Sequence, residues 1–152
     1  SPFLLGTKPS SSDFSFYGQL TQLVKFDPTP RKIAYEFSSR TVAWVDVLDD
    51  LSGHDSDSTS WTRLEDSPAS LKNILKELGK MYIPALLANS EALERGDEIW
   101  EMLIDDAVWK QKTFPYQAKC LNWIKNEFSL LDMEDKKRVL GFLDGTGCEI
   151  IL

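Results

Sequence analysis

The chain is poor in the residues that build metal and redox sites. Its 152 residues include one histidine, His54, and two cysteines, Cys120 and Cys148. The two cysteines have neither the spacing of a zinc site nor that of a redox pair. We predict two unpaired thiols in a reducing compartment, with a single disulfide between them as the alternative. Asp55 and Asp57 follow His54, but one imidazole and two carboxylates are too few for a fixed transition-metal site, so we predict a solvated loop there.

Long apolar runs and an excess of basic residues are also missing. No segment approaches the roughly 18 apolar residues of a membrane-spanning helix, and no basic segment precedes an apolar one, as in a secretion signal. We therefore expect no membrane contact and a cytoplasmic protein. The formal charge is -7. The dense basic triplet at 136–138 follows acidic residues, so we predict a solvated helix surface and no nucleic-acid binding.

The sequence contains no recognisable catalytic constellation. A hydrolase built on His54 needs a base, an orienting group and an oxyanion hole, and nothing around this histidine indicates them. Asp46, Asp49 and Asp50 share one predicted helix face, but paired carboxylates act as acid and base only when burial separates their pKa values. We predict a charged outer face for these three residues. We expect no catalytic residue, cofactor or metal in this chain.

What the chain does have is enough apolar surface for a packed core. The apolar fraction is 42% and five residues are tryptophan, so residues 1–152 are predicted to form a single domain. Ser10 lies three residues before Asp13, the spacing of a capping box. We predict that the first helix begins after Ser10 and ends before Pro28, because proline disfavours helical geometry in the residue before it.

Prolines, glycines and apolar spacing predict the remaining helices. A second helix is expected from about Pro30 to Ser52, with Phe37 and Leu48 on its inner side. A polar surface loop is expected at 53–66. The later elements are a helix over 67–96 that Pro84 kinks or divides, a helix opened by Pro115 and capped by Thr113, and a last helix capped by Asp132 and ending at Leu143.

Residues 97–113 fit two structures. Trp100, Leu103 and Val108 have helical spacing, but the residues on either side of Asp105 and Asp106 also fit two strands and a tight turn. Isoleucine, valine and tryptophan favour strands. We predict a small β-hairpin near residues 98–112, with a helix as the alternative.

The stretch "FPYQAKC" is the one candidate ligand site. Tyr116, Gln117 and Lys119 place hydrogen-bonding groups amid aromatic residues at the predicted start of a helix. Small-molecule pockets combine apolar walls with a few polar anchors of this kind. Packing of a helix terminus against the hairpin would explain the same residues without a ligand. Cys120 is expected in the core, because its helical spacing places it with Ile124.

Three stretches of the sequence resemble the glutathione S-transferase superfamily. "PFLLGTKPSSSDFSFYGQL" is similar to the region around the sixth helix of its C-terminal all-α domain, where a glycine, a Ser or Thr and an Asp three residues later form a buried cap. Gly6, Ser10 and Asp13 match those three positions. "DPTPRKIAYEFSSRTVAWVDVLDDLSG" resembles the following helix of bacterial members. The segment from "FPYQAKCLNWIKNEF" to "GTGCE" resembles a C-terminal extension of some members.

The resemblance implies a mainly α fold, a helical bundle similar to that C-terminal domain. Residues 1–53 would supply the cap-motif helix and the next helix, and residues 67–152 the C-terminal extension of the bundle. In the superfamily a thioredoxin-like domain carries the catalytic Ser, Tyr or Cys and most of the glutathione site. No such segment is present in this sequence.

The function implied is therefore the hydrophobic-substrate-side and dimerisation part of a glutathione S-transferase-like protein. Such a part is not catalytic as an isolated chain, and glutathione would be a co-substrate of the whole protein. A homo-oligomer and a small hydrophobic ligand are the expected partners. The alternative is a non-catalytic protein-interaction or assembly module of the same fold.

Overall fold

The computed structural model describes residues 2–55, 60–104 and 106–152. These residues are mainly helical, with one two-stranded antiparallel hairpin, as predicted. The regular elements are α1 (Ser11–Thr21), α2 (Pro28–Phe37), α3 (Ser39–Asp49), α4 (Ala69–Glu77), α5 (Ile83–Arg95), β1 (Ile99–Ile104), β2 (Ala107–Lys112), α6 (Pro115–Leu130) and α7 (Met133–Leu143). Their contacts form two compact units, 1–67 and 68–152. No helix among the described residues is long and apolar enough to cross a membrane.

A buried capping box begins the first helix of the first unit. Asp13 is fully buried, and its Oδ2 accepts the backbone N–H of Ser10 at 2.8 Å. The Oγ of Ser10 accepts the N–H of Asp13 at 3.4 Å. The second carboxylate oxygen of Asp13 accepts the N–H of Leu4 at 2.8 Å. One side chain therefore fixes both the start of α1 and the loop before it. A π-helical turn, Gln22–Phe26, continues α1 to its C-cap at Asp27, so the helical stretch stops before Pro28, as predicted.

Gly6 allows that loop to approach the segment around residue 60. Its φ of 138° lies where side chains are rarely tolerated, and a Cβ at this position would lie 2.6 Å from the carbonyl oxygen of Ser60. Gly6 forms β-bridges with Phe3 and Trp61. Part of the predicted surface loop therefore pairs with the N-terminal loop.

The predicted second helix is two helices. The side chain of Asp27 accepts the N–H of Thr29 at 3.0 Å, so α2 begins at Pro28 rather than Pro30. Ser38 leaves helical geometry, with φ −147° and ψ 54°, and separates α2 from α3. The expected inner position of Phe37 is wrong, since this side chain is 80% exposed at the break.

Small valine side chains form the core of the first unit. The buried residues are Val24, Val42 and Val45, and half-buried Tyr17, Leu20, Ala34 and Trp44 pack against them. Leu48, expected on the inner side, is also buried. On the surface, the carboxylate of Asp49 accepts hydrogen bonds from the Tyr17 hydroxyl and the Lys25 ammonium, which joins α3 to α1 and its C-terminal turn.

The second unit begins with the divided helix expected around Pro84. A π-helical turn, Leu78–Tyr82, separates α4 from α5, because proline lacks the N–H that would continue regular bonding. Gly79 lies in this turn, and a Cβ there would overlap the carbonyl oxygen of Thr146. The glycine-rich segment after α7 thus packs directly on the turn. Gly96 ends α5 with a left-handed φ of 78°.

The core of the second unit gathers residues from distant parts of the chain. Its buried members are Ile83, Leu86, Leu121, Cys148 and Ile151. Both cysteines are unpaired, as predicted. Cys148 is buried and its thiol lies 3.1 Å from the carbonyl oxygen of Leu75, whereas Cys120 is half-buried.

The last two helices begin differently from one another. Asp132 caps α7 as predicted, since its carboxylate accepts the N–H of Asp135 at 2.8 Å. The expected Thr113 cap of α6 is wrong. Phe114 occupies the cap position without a side-chain bond, and the hydroxyl of Thr113 instead donates to the carbonyl oxygen of Asp97 at 3.2 Å, closing the base of the hairpin.

Candidate ligand-binding cavity

A cavity of about 360 Å³ lies within the second unit. Four elements surround it: the π-helical turn, α5, the hairpin and the first turn of α6. Its walls are formed by Met81, Tyr82, Ala85, Leu86, Trp100, Ile104, Trp109, Gln111 and Gln117. None of these side chains carries a charge, and most are apolar or aromatic, which is the composition of sites for small organic molecules.

The strand register explains which hairpin residues reach the cavity. Directly opposite residues in a hairpin point to the same face of the sheet. Trp100 is opposite Gln111 and Ile104 is opposite Ala107, with the pair of Met102 and Trp109 between them. Four of these six residues line the cavity. The inner face of the hairpin is therefore one wall of the site.

The π-helical turn and the start of α5 supply another wall. Met81 and Tyr82 are its last two residues, and Ala85 and Leu86 follow in the first turns of α5. Burial, and secondarily the nearby Cys120, raises the pKa of the Tyr82 phenol above its usual 10.0. Tyr82 therefore stays protonated at neutral pH and presents a neutral hydroxyl, which can donate or accept one hydrogen bond.

Asn89 holds the hairpin and α6 against α5. This side chain is fully buried. Its amide nitrogen donates to the carbonyl oxygen of Phe114 at 3.0 Å, and its amide oxygen accepts the N–H of Phe114 at 2.7 Å. The two bonds hold the backbone of Phe114, the residue that precedes α6. Asn89 thereby fixes the distance between two walls of the cavity.

The polar side chains in the walls are few, and the part of the chain that the structure describes offers them no hydrogen-bond partner. The side-chain amides of Gln111 and Gln117 form no hydrogen bond with the described residues. Trp100 is only 4% exposed, and its buried indole N–H has no acceptor among those residues. Buried donors are nearly always paired. An unpaired donor beside a cavity is therefore a feature that a bound molecule can satisfy.

Of the three residues expected to form a pocket, Gln117 lines the cavity. Tyr116 and Lys119 lie on the neighbouring surface of α6, where both contact Trp123. The rings of Tyr116 and Trp123 meet edge to face, with centroids 6.1 Å apart, and the Lys119 ammonium lies 4.8 Å from the Trp123 ring centroid. Tyr116 and Lys119 are three residues apart and share one helix face, whereas Gln117 points about 100° away from Tyr116 and so reaches a different surface.

Among the other candidate residues that the structure describes, His54 and Asp49 make structural contacts. His54 packs edge to face on Phe3, at 5.4 Å between ring centroids, while Asp57 lies outside the described residues. Asp49 has a pKa lowered by its hydrogen bond from Lys25 and then by that from Tyr17. Within the described ranges, no group of three or more His, Cys, Asp or Glu is placed to hold a metal ion.

Most of the residues that line the cavity could not be predicted from the sequence. The pairing of Trp100 with Gln111 follows from a hairpin register, so a firm hairpin assignment would have brought these two residues together. Asn89 gave no signal, because its partner Phe114 is 25 residues away in sequence.

Comparisons with known proteins leave the family unassigned. No protein-family model, no curated protein and no solved structure matches the chain. The likeness to glutathione S-transferases thus stays a hypothesis that depends on the motifs of the sequence itself.

Proposed function

We propose that this chain binds a small, mostly apolar organic molecule, as the helical part of a glutathione S-transferase-like protein that is not catalytic by itself. The observation that carries the proposal is the cavity of about 360 Å³ with uncharged walls. Its size lies within the range of natural small-molecule sites, roughly 300–1,000 Å³.

The buried cap in the first unit supports the family part of the proposal. Gly6, Ser10 and Asp13 are the three residues that match the superfamily motif. Asp13 is fully buried and bonded to the Ser10 backbone, and Gly6 has the backbone conformation and close approach that require glycine. This arrangement is what the resemblance implies for those positions.

The lack of an activated group beside the cavity supports a binding role rather than catalysis. Conjugation requires a glutathione thiolate, stabilised by a donor and held close to the electrophile. Tyr82 is the one titratable side chain in the cavity wall, and its pKa is raised rather than lowered. Glutathione would therefore be activated elsewhere in a whole protein.

Exposed apolar residues favour a second candidate function, an interaction or assembly module. Leu103 and Val108 are opposite each other on the outer face of the hairpin, and they are 69% and 58% exposed. Apolar side chains that adjoin in this way often mark contacts with another chain. A homo-oligomer is the expected assembly, and sedimentation of the purified 17.3 kDa chain tests it.

A fluorescent probe tests the binding proposal. We expect N-phenyl-1-naphthylamine, a neutral apolar compound, to bind saturably at one site per chain. Ala85→Trp places an indole into the cavity and should abolish this binding. Ala69→Trp adds the same ring at an exposed position and should leave binding intact.

Circular dichroism of both variants establishes that the fold persists. If Ala85→Trp does not fold, the smaller Ala85→Leu should lower affinity instead. Unsaturable binding, or equal affinity in the folded Ala85 and Ala69 variants, would show that the cavity is not the site.

A further inference from the structure

We propose that the cavity selects a neutral, flat molecule of about two fused rings that carries a hydrogen-bond acceptor such as a carbonyl oxygen. This inference rests on the proposed ligand binding and adds the chemical class of the ligand. Three properties of the walls support it: their lack of charge, their aromatic rings and the unpaired donor of Trp100.

The lack of charge favours a neutral ligand. The lining residues include no Lys, Arg, Asp, Glu or His. A carboxylate or ammonium that enters such a site loses its water without gaining an opposite charge. Aromatic walls do attract cations, so a cationic ligand is the alternative that an experiment has to exclude.

The aromatic side chains favour a flat ligand of limited size. Trp100 and Trp109 lie on the inner face of the hairpin, and Tyr82 belongs to another wall. Aromatic rings pack well edge to face or offset against other flat rings. An engineered cavity of about 150 Å³ holds benzene, and this cavity is roughly twice as large, which suits two fused rings.

The unpaired indole N–H of Trp100 favours an acceptor on the ligand. Tryptophan can only donate, whereas a glutamine amide can donate or accept. Gln111 and Gln117 therefore accommodate several kinds of polar group, but Trp100 discriminates in favour of an acceptor. Its N–H is buried within the wall, so the acceptor reaches it when a neighbouring side chain moves. Gln111, directly opposite in the register, is an exposed side chain, and it is the neighbour that we expect to move.

Four naphthalenes of nearly equal size test the three properties together. The compounds are 2-acetylnaphthalene, 2-ethylnaphthalene, 2-naphthoate and 2-naphthyltrimethylammonium, and calorimetry or ligand-observed NMR gives their affinities. We expect the ketone to bind about five- to tenfold more tightly than the hydrocarbon, as for one added hydrogen bond. Both charged compounds should bind more weakly than the ketone.

Two variants test whether Trp100 causes the preference for the ketone over the hydrocarbon. Trp100→Phe keeps a ring but removes the donor, so the ketone should lose its advantage while the hydrocarbon keeps most of its affinity. Trp123→Phe, on the surface of α6 outside the cavity, should leave the ratio unchanged. If Trp100→Phe does not fold, NMR of the wild-type chain takes its place: the indole N–H resonance of Trp100 should shift more with the ketone than with the hydrocarbon, and equal shifts overturn the inference.

The outcomes separate this inference from the proposed function. Equal affinity for ketone and hydrocarbon, or tightest binding of either charged compound, overturns the inference and leaves apolar ligand binding intact. An unchanged ratio in folded Trp100→Phe also overturns it. If none of the four compounds binds but N-phenyl-1-naphthylamine does, the inference alone fails; if the probe does not bind either, the proposed function fails as well.

Discussion

Two fully buried polar side chains, Asp13 and Asn89, each hold separate stretches of backbone together. Asp13 connects the N-terminal loop to α1 through Leu4 and Ser10. Asn89 connects α5 to the start of α6 through both polar groups of Phe114. Buried polar groups cost free energy unless they are hydrogen-bonded, so each of these side chains tolerates little change.

The two residues of the capping box, Ser10 and Asp13, should contribute unequally to the stability of the fold. Ser10→Ala removes two hydrogen bonds of the Ser10 hydroxyl, which accepts the N–H of Asp13 and donates to the Asp13 carboxylate at 2.6 Å, and should cost about 0.5–2 kcal/mol. Asp13→Ala leaves the N–H groups of Leu4 and Ser10 unpaired and should cost more, on the order of 3 kcal/mol. Urea denaturation measures both, with the exposed Ser11→Ala as the control. Midpoints equal to the wild-type value in both cap variants would show that the box does not stabilise the fold.

Replacing Asn89 should affect stability and ligand binding together. Asn89→Ala leaves the N–H of Phe114 without its partner, while the C=O of Phe114 keeps the N–H of Gln117 at 3.1 Å, and we expect a loss of roughly 1–3 kcal/mol. Probe affinity should fall as well, because the clamp sets the spacing of the cavity walls. Asn126→Ala, an exposed residue of α6, should change neither quantity. Normal stability in Asn89→Ala would contradict the clamp.

At the scale of elements, local signals were readable in the sequence and long-range ones were not. The caps at Ser10 and Asp132 depend on residues three positions away, so their spacing was enough to place α1 and α7. The break at Ser38 has no proline or glycine to indicate it, and helical spacing therefore predicted one helix where two exist. The clamp of Asn89 and the packing of Thr146 on Gly79 join residues far apart in sequence. Such contacts leave no periodic pattern.

The joint between α1 and α3 should respond to pH in a defined way. Asp49 of α3 accepts hydrogen bonds from Lys25 and from Tyr17. The bond from Lys25, and then that from Tyr17, lowers the pKa of Asp49 below 3.8. The stability that this shift contributes is therefore present above pH 3.8 and is lost as the pH falls through the lowered value. The hydrogen bond to Asp49 likewise raises the pKa of Lys25 above 10.5. Its contribution is present below pH 10.5 and is lost at higher pH.

Comparison with Lys25→Gln isolates this joint from other titrating groups. The stability difference between wild type and variant should be largest from about pH 5 to 9 and shrink in both outer ranges. High salt should reduce it, since both groups are exposed. Lys32→Gln, which disrupts only a 4.0 Å pair with Glu36, is the control. A difference that does not vary with pH would rule out the ionic contribution.

At the scale of the whole molecule, two compact units carry different parts of the proposed role. The first unit, residues 1–67, holds the buried cap on which the proposed family likeness depends. The second, residues 68–152, holds the cavity. The sequence predicted the class of fold, because helix caps and apolar spacing are local. Of the residues that line the cavity, the sequence predicted only Gln117, because the others are brought together by tertiary packing.

The isolated chain should not catalyse glutathione conjugation. Binding one reactant leaves the thiol unactivated, and Tyr82 in the cavity wall keeps its proton. We expect the rate with glutathione and an aromatic electrophile to equal the buffer rate. A rate above background that disappears in Tyr82→Phe, Tyr116→Phe or Cys120→Ser would show that the chain is an enzyme in its own right.

The exposure of β2 has a consequence for handling the purified protein. All six of its side chains are exposed. β2 is an edge strand, and an edge strand can pair with strands from other molecules. Lys110 and Lys112 oppose such stacking by charge repulsion, and Lys110 also pairs with Glu101 at 2.6 Å. Amine-reactive dyes or acetylating reagents would remove this protection. Labelling through lysines should therefore turn a dispersed sample into an aggregating one.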